Sequence, residues 1–523
     1  MAWIEKNLFE MKRILATLFL LPVLAGGWVV AGIPELDGLV EQPLDIGEIP
    51  AKQPETLPIT TSSSKAREYF RRARHRQWNF DIDGAIRLYR KALRLDPEFV
   101  RAHLQLSILD VPKANWHRVR AGANLYLLPK SERQFVKLLL ENRPRTNLLL
   151  KLSASYPNDA EVLLHLGRSL NQAGRFPAAR DAHLAAVKKY PVSALAWQNL
   201  GHQYLALKDN YRAYIAFEKE RSLVPDRAQA YLALGGFYLK TWKYDKAMRM
   251  AENAIRIDPG RWQGYVLMAN ALTLSGDSQV AQKILVARLD AESDPLQNFE
   301  YQVALVDSLI DDGNFPDAIK HLSLLYRETS ISGGENPIIE RQARGGDIYF
   351  LNRLGDTYLE YGDYGSAQDV YDNILRICEQ SLGNERGLAA IESTYMFNTA
   401  RVALVRNNVR KARRLIVSLS RTLSQDDDAN LEQKIAQLQG EVHLASGEPE
   451  QAILFLKNVS AENPYLLNLL ATAYMRAGKT ALAHQYYKKA IEYSSFDRYE
   501  YAFVRHKARA ALREAEPVVV DRE

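Results

Sequence analysis

Cysteine is almost absent: Cys378 is the only one in 523 residues. An internal disulfide and any cysteine-based metal site are thereby excluded. An excess of one charge sign is missing as well, since 68 Lys and Arg face 62 Asp and Glu. A formal +6 spread over this length is too dilute for a nucleic-acid partner. The motifs of common chemistries are missing too. No GxxxxGK[ST] phosphate loop, HExxH, GxSxG or CxxC occurs. The Gly-Gly steps at 333–334 and 345–346 are not followed by the lysine of a phosphate site. Asp426, Asp427 and Asp428 lack the glycine and distal glutamate of a calcium loop. They read instead as a helix start, where carboxylates favour the N-terminal dipole. The ten histidines do not cluster at ligand spacing, and His202 has no ligand partner one turn on. These absences argue against an enzyme and imply no cofactor.

What the chain has is repetition. From Ala194 to Pro259 two 34-residue units sit back to back. Trp197, Leu200, Gly201, Tyr204, Ala213, Phe217 and Pro225 recur as Tyr231, Leu234, Gly235, Tyr238, Ala247, Ala251 and Pro259. Apolar residues fall at helical spacing on two successive helices per unit. Gly201, Ala213, Gly235 and Ala247 stand where one helix must approach the other closely. Pro225 and Pro259 end the second helix, because proline lacks the N–H that a helix interior requires. One such unit cannot bury its own apolar face, so neighbours must stack.

This residue order at this period resembles the tetratricopeptide repeat (TPR). The resemblance covers nearly all of residues 66–515. It implies an all-α fold: helix-turn-helix units stacked as a right-handed superhelical solenoid.

An N-terminal segment precedes the array. Residues 14–33, ILATLFLLPVLAGGWVVAGI, carry no charge and are long enough to cross a bilayer as helix. Lys12 and Arg13 precede them, and no Lys or Arg follows until Lys52. That asymmetry places residues 1–13 in the cytoplasm and the body outside it. An uncleaved transmembrane anchor is expected, with the body in a bacterial periplasm. The alternative is export after signal cleavage near Ala25. Residues 34–64, with Pro34, Pro43, Pro50, Pro54 and Pro58, read as an extended tether.

The array divides as follows. An N-terminal array spans 65–329. Its first helix is strongly basic (Lys65, Arg67, Arg71, Arg72, Arg74, Arg76), either as a solvated face or as a lipid-headgroup contact. Residues 98–158 fit the period badly, and Pro112, Pro129, Pro144 and Pro157 split them into about four helices. Here LPKSERQFVKLLLENR and its neighbours resemble the repeat arrays of bacterial signalling proteins, without the attached kinase, cyclase or DNA-binding domain. Residues 330–347, with two Gly-Gly steps and a proline, read as a joint loop. A C-terminal array follows over 348–515, its last helix capping the open end, and 516–523 form a tail.

In the family the first helix of each unit lines a concave groove, with positions 2, 5, 9 and 12 pointing inward. The resemblance thus implies a protein-binding groove that includes Arg168, Asn171, Gln198, His202, Gln229, Asn270, Asn352 and Asp356. Amides and leucines with few charges suit an extended peptide or another envelope protein as partner. Arg168 and Asn270 are isolated fragments of the lysine/asparagine/arginine set that clamps a C-terminal carboxylate, so no clamp is assigned. Two functions are expected: a membrane-tethered scaffold in envelope assembly or polysaccharide export, or a regulatory subunit whose output domain lies on another chain.

Overall fold

The structure, a computed structural model, describes residues 56–141, 145–292, 294–331, 339–381, 385–423, 429–457, 463–493 and 499–515. These residues form helices joined by turns. The first unit of the fold, to Met268, holds α1 (Ser64–Trp78), α2 (Ile82–Leu95), α3 (Val100–Leu109), α4 (Ala114–Ala123), α5 (Lys130–Glu141), α6 (Thr146–Ser155), α7 (Ala160–Gln172), α8 (Phe176–Lys189), α9 (Ala194–Ala206), α10 (Asn210–Leu223), α11 (Ala228–Lys240) and α12 (Tyr244–Ile257). Helix α13 (Trp262–Ser275) contains the division. The second unit, from Ala269, continues with α14 (Ser278–Ala291), α15 (Pro295–Asp312), α16 (Phe315–Ile331), α17 (Ile339–Tyr361), α18 (Tyr364–Ser381), α19 (Glu385–Val405), α20 (Val409–Leu423), α21 (Ala429–Ala445), α22 (Pro449–Lys457), α23 (Pro464–Arg476), α24 (Thr480–Tyr493) and α25 (Glu500–Ala515).

The 34-residue period is written into the backbone. Gly174, Lys208, Trp242 and Gly276 all take the left-handed conformation, at φ 70°, 67°, 57° and 104°. Each follows the first helix of a pair, and the next residue's N–H reaches back to close the helix: Arg175 to the Leu170 carbonyl, Asp209 to Tyr204, Lys243 to Tyr238 and Asp277 to Leu272, at 2.8–2.9 Å. This is a Schellman ending. A left-handed conformation costs a side-chain-bearing residue about 1–2 kcal/mol, and the repeated turn holds Lys208 and Trp242 there regardless. A second device shares the period. Trp197 Nε1, Tyr231 Oη and Tyr265 Oη donate to the carbonyls of Pro191, Pro225 and Pro259, at 2.8, 3.1 and 3.2 Å. The proline that ends one unit is thus tied to the first helix of the next.

Within a pair, the two helices meet at a glycine. A large side chain sixteen residues on covers it: His183 over Gly167, Phe217 over Gly201, Tyr371 over Gly355 and Leu456 over Gly440. At Gly235 the residue at this offset is Ala251, and Leu267 from the next pair fills the space instead.

Several expectations require correction. Residues 56–63 are not free tether but packed structure. Leu57 is buried against Phe135, Leu149, Leu152 and Val162, and its N–H donates to Asp159 Oδ2 at 3.0 Å. The Thr60 N–H and hydroxyl bind the buried Glu132, and the Ser62 N–H binds Asp96 at 2.8 Å. The physical reason is satisfaction: these donors solvate carboxylates that the core removes from water. The basic face of α1 is partly inward, since Arg74 pairs with the buried Glu161 at 3.0 Å. Residues 339–347 of the expected joint loop are the start of α17, within the second unit. The last helix does more than cap. While α25 packs on α23 and α24, it also reaches α15, where Arg505 and Arg509 both pair with the buried Asp311. The span 14–33, the tether over 34–55, the aspartates at 426–428 and the tail at 516–523 lie outside the described residues. Among the described residues no helix is long and apolar enough to cross a membrane.

A methyl group added at Gly201 would stand 2.9 Å from the Phe217 ring. Overpacking of this kind costs about 1–3 kcal/mol, more than the roughly 0.5–1 kcal/mol that alanine gains over glycine within a helix. Gly201→Ala should therefore lower the thermal midpoint. Gly236→Ala, on the same kind of helix with nothing within 4 Å, should raise it. Calorimetry of the two variants decides. Equal shifts would remove the glycine contact as a packing constraint.

Candidate functional site

First helices of successive pairs in the second unit turn one face toward a common space. Side chains three or four residues apart share a helix face, which brings Tyr349, Asn352 and Asp356 of α17 together. In the same way α19 offers Thr394, Phe397, Asn398 and Arg401, and α21 offers Gln433, Lys434 and Gln437. Asn463 and Tyr465 at the start of α23, and Tyr499 and Glu500 at the start of α25, complete the lining. The cavity between them measures about 230 Å³ and is open on one side.

Asp356 and Arg401 are matched within the wall. Asp356 accepts from Arg401 at 2.5 Å, from Tyr371 Oη at 2.9 Å and from Tyr499 Oη at 3.0 Å. Burial, and after it the charge of Asp356, pushes both tyrosine hydroxyls well above their usual range, so they act as donors at neutral pH. Arg401 and Lys434 lie over the Phe397 ring, at 5.6 and 5.5 Å. Lys434 Nζ donates to Thr394 Oγ1 at 3.1 Å, Glu500 adds a carboxylate, and five amides make up much of the other polar lining. Asn398 Nδ2 donates to Asn352 Oδ1 at 3.3 Å, and Asn463 Nδ2 donates to Gln433 Oε1 at 2.9 Å. An amide carries both donors and acceptors, so this lining matches a ligand that presents N–H and C=O groups. Among the described residues no cluster of three metal-ligating side chains occurs. Cys378 is buried, and burial raises its thiol pKa, which leaves it unreactive.

Of the groove residues expected from the repeat register, Asn352 and Asp356 share this cavity. The same register carried on to the units beginning at 393 and 433 falls on Thr394, Phe397, Arg401, Lys434 and Gln437. The signal for those five lies in the sequence. No repeat position points to Tyr499 and Glu500, because the final helix lies outside the period.

In the first unit two of the expected groove residues are turned away from the surface, while Arg168, Asn171 and His202 are half-buried. Gln198 is buried and donates to Glu220 Oε1 at 2.9 Å, while Gln229 is buried and accepts from Arg261 Nη2 at 2.9 Å. Both amides serve ionisable groups that the packing would otherwise leave without a partner, which takes them out of the exposed surface. His202 sits edge-on against Phe217, with ring centroids 5.0 Å apart. Asn171 Oδ1 accepts from Gln203 at 2.8 Å. Arg168 is half-buried beside His165, and burial lowers its pKa. Part of the inner face is occupied by the chain itself. Glu161 is buried under Arg74 of α1 and Arg101 of α3. Burial alone would raise the Glu161 carboxyl, but the two guanidiniums outweigh it and hold it below its usual range. Asn270, half-buried on α13, belongs to the second unit.

Comparison with known proteins bears on this architecture. Residues 147–210, 228–261 and 464–497 match the family described as tetratricopeptide repeat. Among the described residues these repeats lie on paired helices joined by turns. It is 23% identical over 227 residues to the protein CTR9 homolog of Arabidopsis thaliana, a match covering 40% of this chain and 21% of that protein. It is 24% identical over 227 residues to the BBSome complex member BBS4 of Bos taurus, covering 43% of this chain and 38% of that protein. The chain thus spans well under half the length of these relatives. A solved tetratricopeptide repeat protein from Parabacteroides merdae superposes with a TM-score of 0.34 at 13% identity, over 53% of this chain and 98% of that one.

The first unit's histidines generate a pH dependence. Burial, the largest cause in each case, lowers His117 and His202 to about 4, and His165 and His183 to about 3. An unfolded histidine titrates near 6.5. Between about pH 6.5 and these lower values the unfolded chain binds more protons, so stability falls as pH drops. Glu220 and Glu132 oppose this, because burial pushes both carboxyls up, but they are two groups against four. Each pH unit in the window removes up to about 1.4 kcal/mol per histidine. Hydrogen-exchange protection in α7, α8 and α9, corrected for intrinsic rates, should fall between pH 7 and pH 5. Unchanged protection would refute the linkage.

Proposed function

We propose that this protein is a non-catalytic scaffold that grips a partner protein's extended segment in the cavity of the second unit. The observation that carries this reading is the convergence of Asn352, Asn398, Gln433, Gln437 and Asn463 on one open-sided space beside four aromatic side chains. Extended backbone needs a donor and an acceptor at every residue, and its side chains need apolar contact. Asp356 is already matched by three donors, so it orders the wall without supplying a reactive group. At about 230 Å³ the space lies below the range of roughly 300–1,000 Å³ of small-molecule pockets and suits a few residues of chain. The Bos taurus relative is by its name a member of a complex, which favours a role in assembly.

A photocrosslinking amino acid at Tyr349, on the cavity wall, should capture a protein in intact cells. The same group at the exposed Val417, on a second helix of the same unit, should capture far less. Equal yields, or no protein adduct from Tyr349, would exclude the cavity.

We further propose that the scaffold is tethered to a membrane by residues 14–33, with its body on the far side from the cytoplasm, in envelope assembly or polysaccharide export. The uncharged run and the basic residues on one side of it support this orientation. A reporter that works only in the periplasm, fused after Glu523, should be active. Activity of a cytoplasm-only reporter at that position would reverse the topology.

A further inference from the structure

Between Asp110 and Glu132 the chain carries Lys113, Arg118, Arg120 and Lys130 and no carboxylate. This break in an otherwise balanced charge pattern coincides with a break in burial. Helix α4 places Trp116 and Val119 one turn apart, 52% and 62% exposed, and the turn after it presents Tyr126 and Leu127 at 67% and 40%. Single exposed apolar side chains are ordinary, but four within twelve residues call for a partner.

The surface is built and held. His103 and His117 meet the Trp116 ring edge-on at 5.4 and 4.8 Å, and the Arg120 guanidinium lies 5.4 Å from its centroid. Arg133 donates to the Tyr126 and Leu128 carbonyls at 3.0 and 2.8 Å, fixing the turn. The Trp116 ring is thus flanked by fixed neighbours, and the turn that carries the exposed Tyr126 and Leu127 is pinned through its backbone.

We propose that this surface docks on a lipid bilayer bearing anionic headgroups. Tryptophan and tyrosine settle at the headgroup level, Val119 and Leu127 reach the acyl boundary, and the cations gain from the negative surface potential. A bilayer accepts a projecting helix and turn directly, whereas an acidic protein partner would need a receptor shaped to them. The seat of the N-terminal segment agrees. Thr60 is fastened to Glu132 on α5, the helix that begins where the basic stretch ends. Residues 34–55 alone separate the uncharged run 14–33 from the packed residues, a reach of at most about 80 Å when fully extended. The proposal does not depend on the cavity of the second unit.

The test uses the full chain with vesicles of phosphatidylcholine, with and without phosphatidylglycerol, whose brominated acyl chains quench nearby tryptophan. The chain has seven tryptophans, so the difference between the wild type and Trp116→Phe isolates one. On phosphatidylglycerol vesicles that difference should show Trp116 strongly quenched. Replacing Lys113, Arg120 and Lys130 by glutamine should weaken attachment of this surface by roughly one to two orders of magnitude at low salt. Val119→Asp, at a position with little to lose on the inside, should abolish the Trp116 component while circular dichroism and the melting curve stay unchanged. Identical quenching of wild type and Trp116→Phe overturns the proposal, as does equal Trp116 quenching on phosphatidylcholine alone. Capture of an acidic protein, and not lipid, by a crosslinker at Val119 would assign the surface to a protein partner and overturn it equally.

Discussion

Every helix pair with a glycine at its crossing depends on a contact that leaves no room for a methyl group. Gly167, Gly201, Gly355 and Gly440 each lie under a side chain sixteen residues on. That contact sets how closely two helices approach, and the approach sets where the remaining side chains of the first helix point. The left-handed turn after each first helix and the tie from Trp197, Tyr231 or Tyr265 to a proline carbonyl then fix the pitch from one pair to the next. In the second unit the glycine contacts at Gly355 and Gly440 and the left-handed turns at Gly362, Asn407 and Gly447 accompany the meeting of Asn352, Asn398 and Gln433, from three different helices, at one wall.

Both units also bury charge. Glu161 lies between Arg74 and Arg101 in the first, and Asp311 lies between Arg505 and Arg509 in the second. Forming such groups in the interior adds little net stability, but removing one partner strands a charge and costs about 3–5 kcal/mol. Their value is specificity of placement. A basic helix at one end of the sequence finds one acidic site on a helix far along the chain.

The repeat and its groove register were legible because they rest on local spacing. Gly201 and Phe217, or Asn352 and Asp356, are separated by a fixed number of residues on one pair. The buried state of Gln198 and Gln229 was not legible, because the groove register does not say that Glu220 on the same pair and Arg261 beside the next one turn inward to meet them. Nor was the packing of residues 56–63, since prolines and hydroxyl residues read as tether unless the partners Glu132, Asp96 and Asp159 are known to wait for them. The exposed cluster around Trp116 lay hidden for the opposite reason. In a region where the period fails, apolar residues read as core, and only the folded chain reveals which ones the core leaves out.

The meeting of α25 with α15 changes how the second unit must come apart. An open stack is quasi-one-dimensional: each repeat senses its neighbours, and an end repeat can fray alone. Here the end of the stack is fastened to its beginning across about two hundred residues of chain, a separation that slows formation and couples distant repeats. The unit should therefore melt as one cooperative block. An error at the C-terminus would be felt first at α15, where the carboxylate of Asp311 would lose both of its guanidiniums.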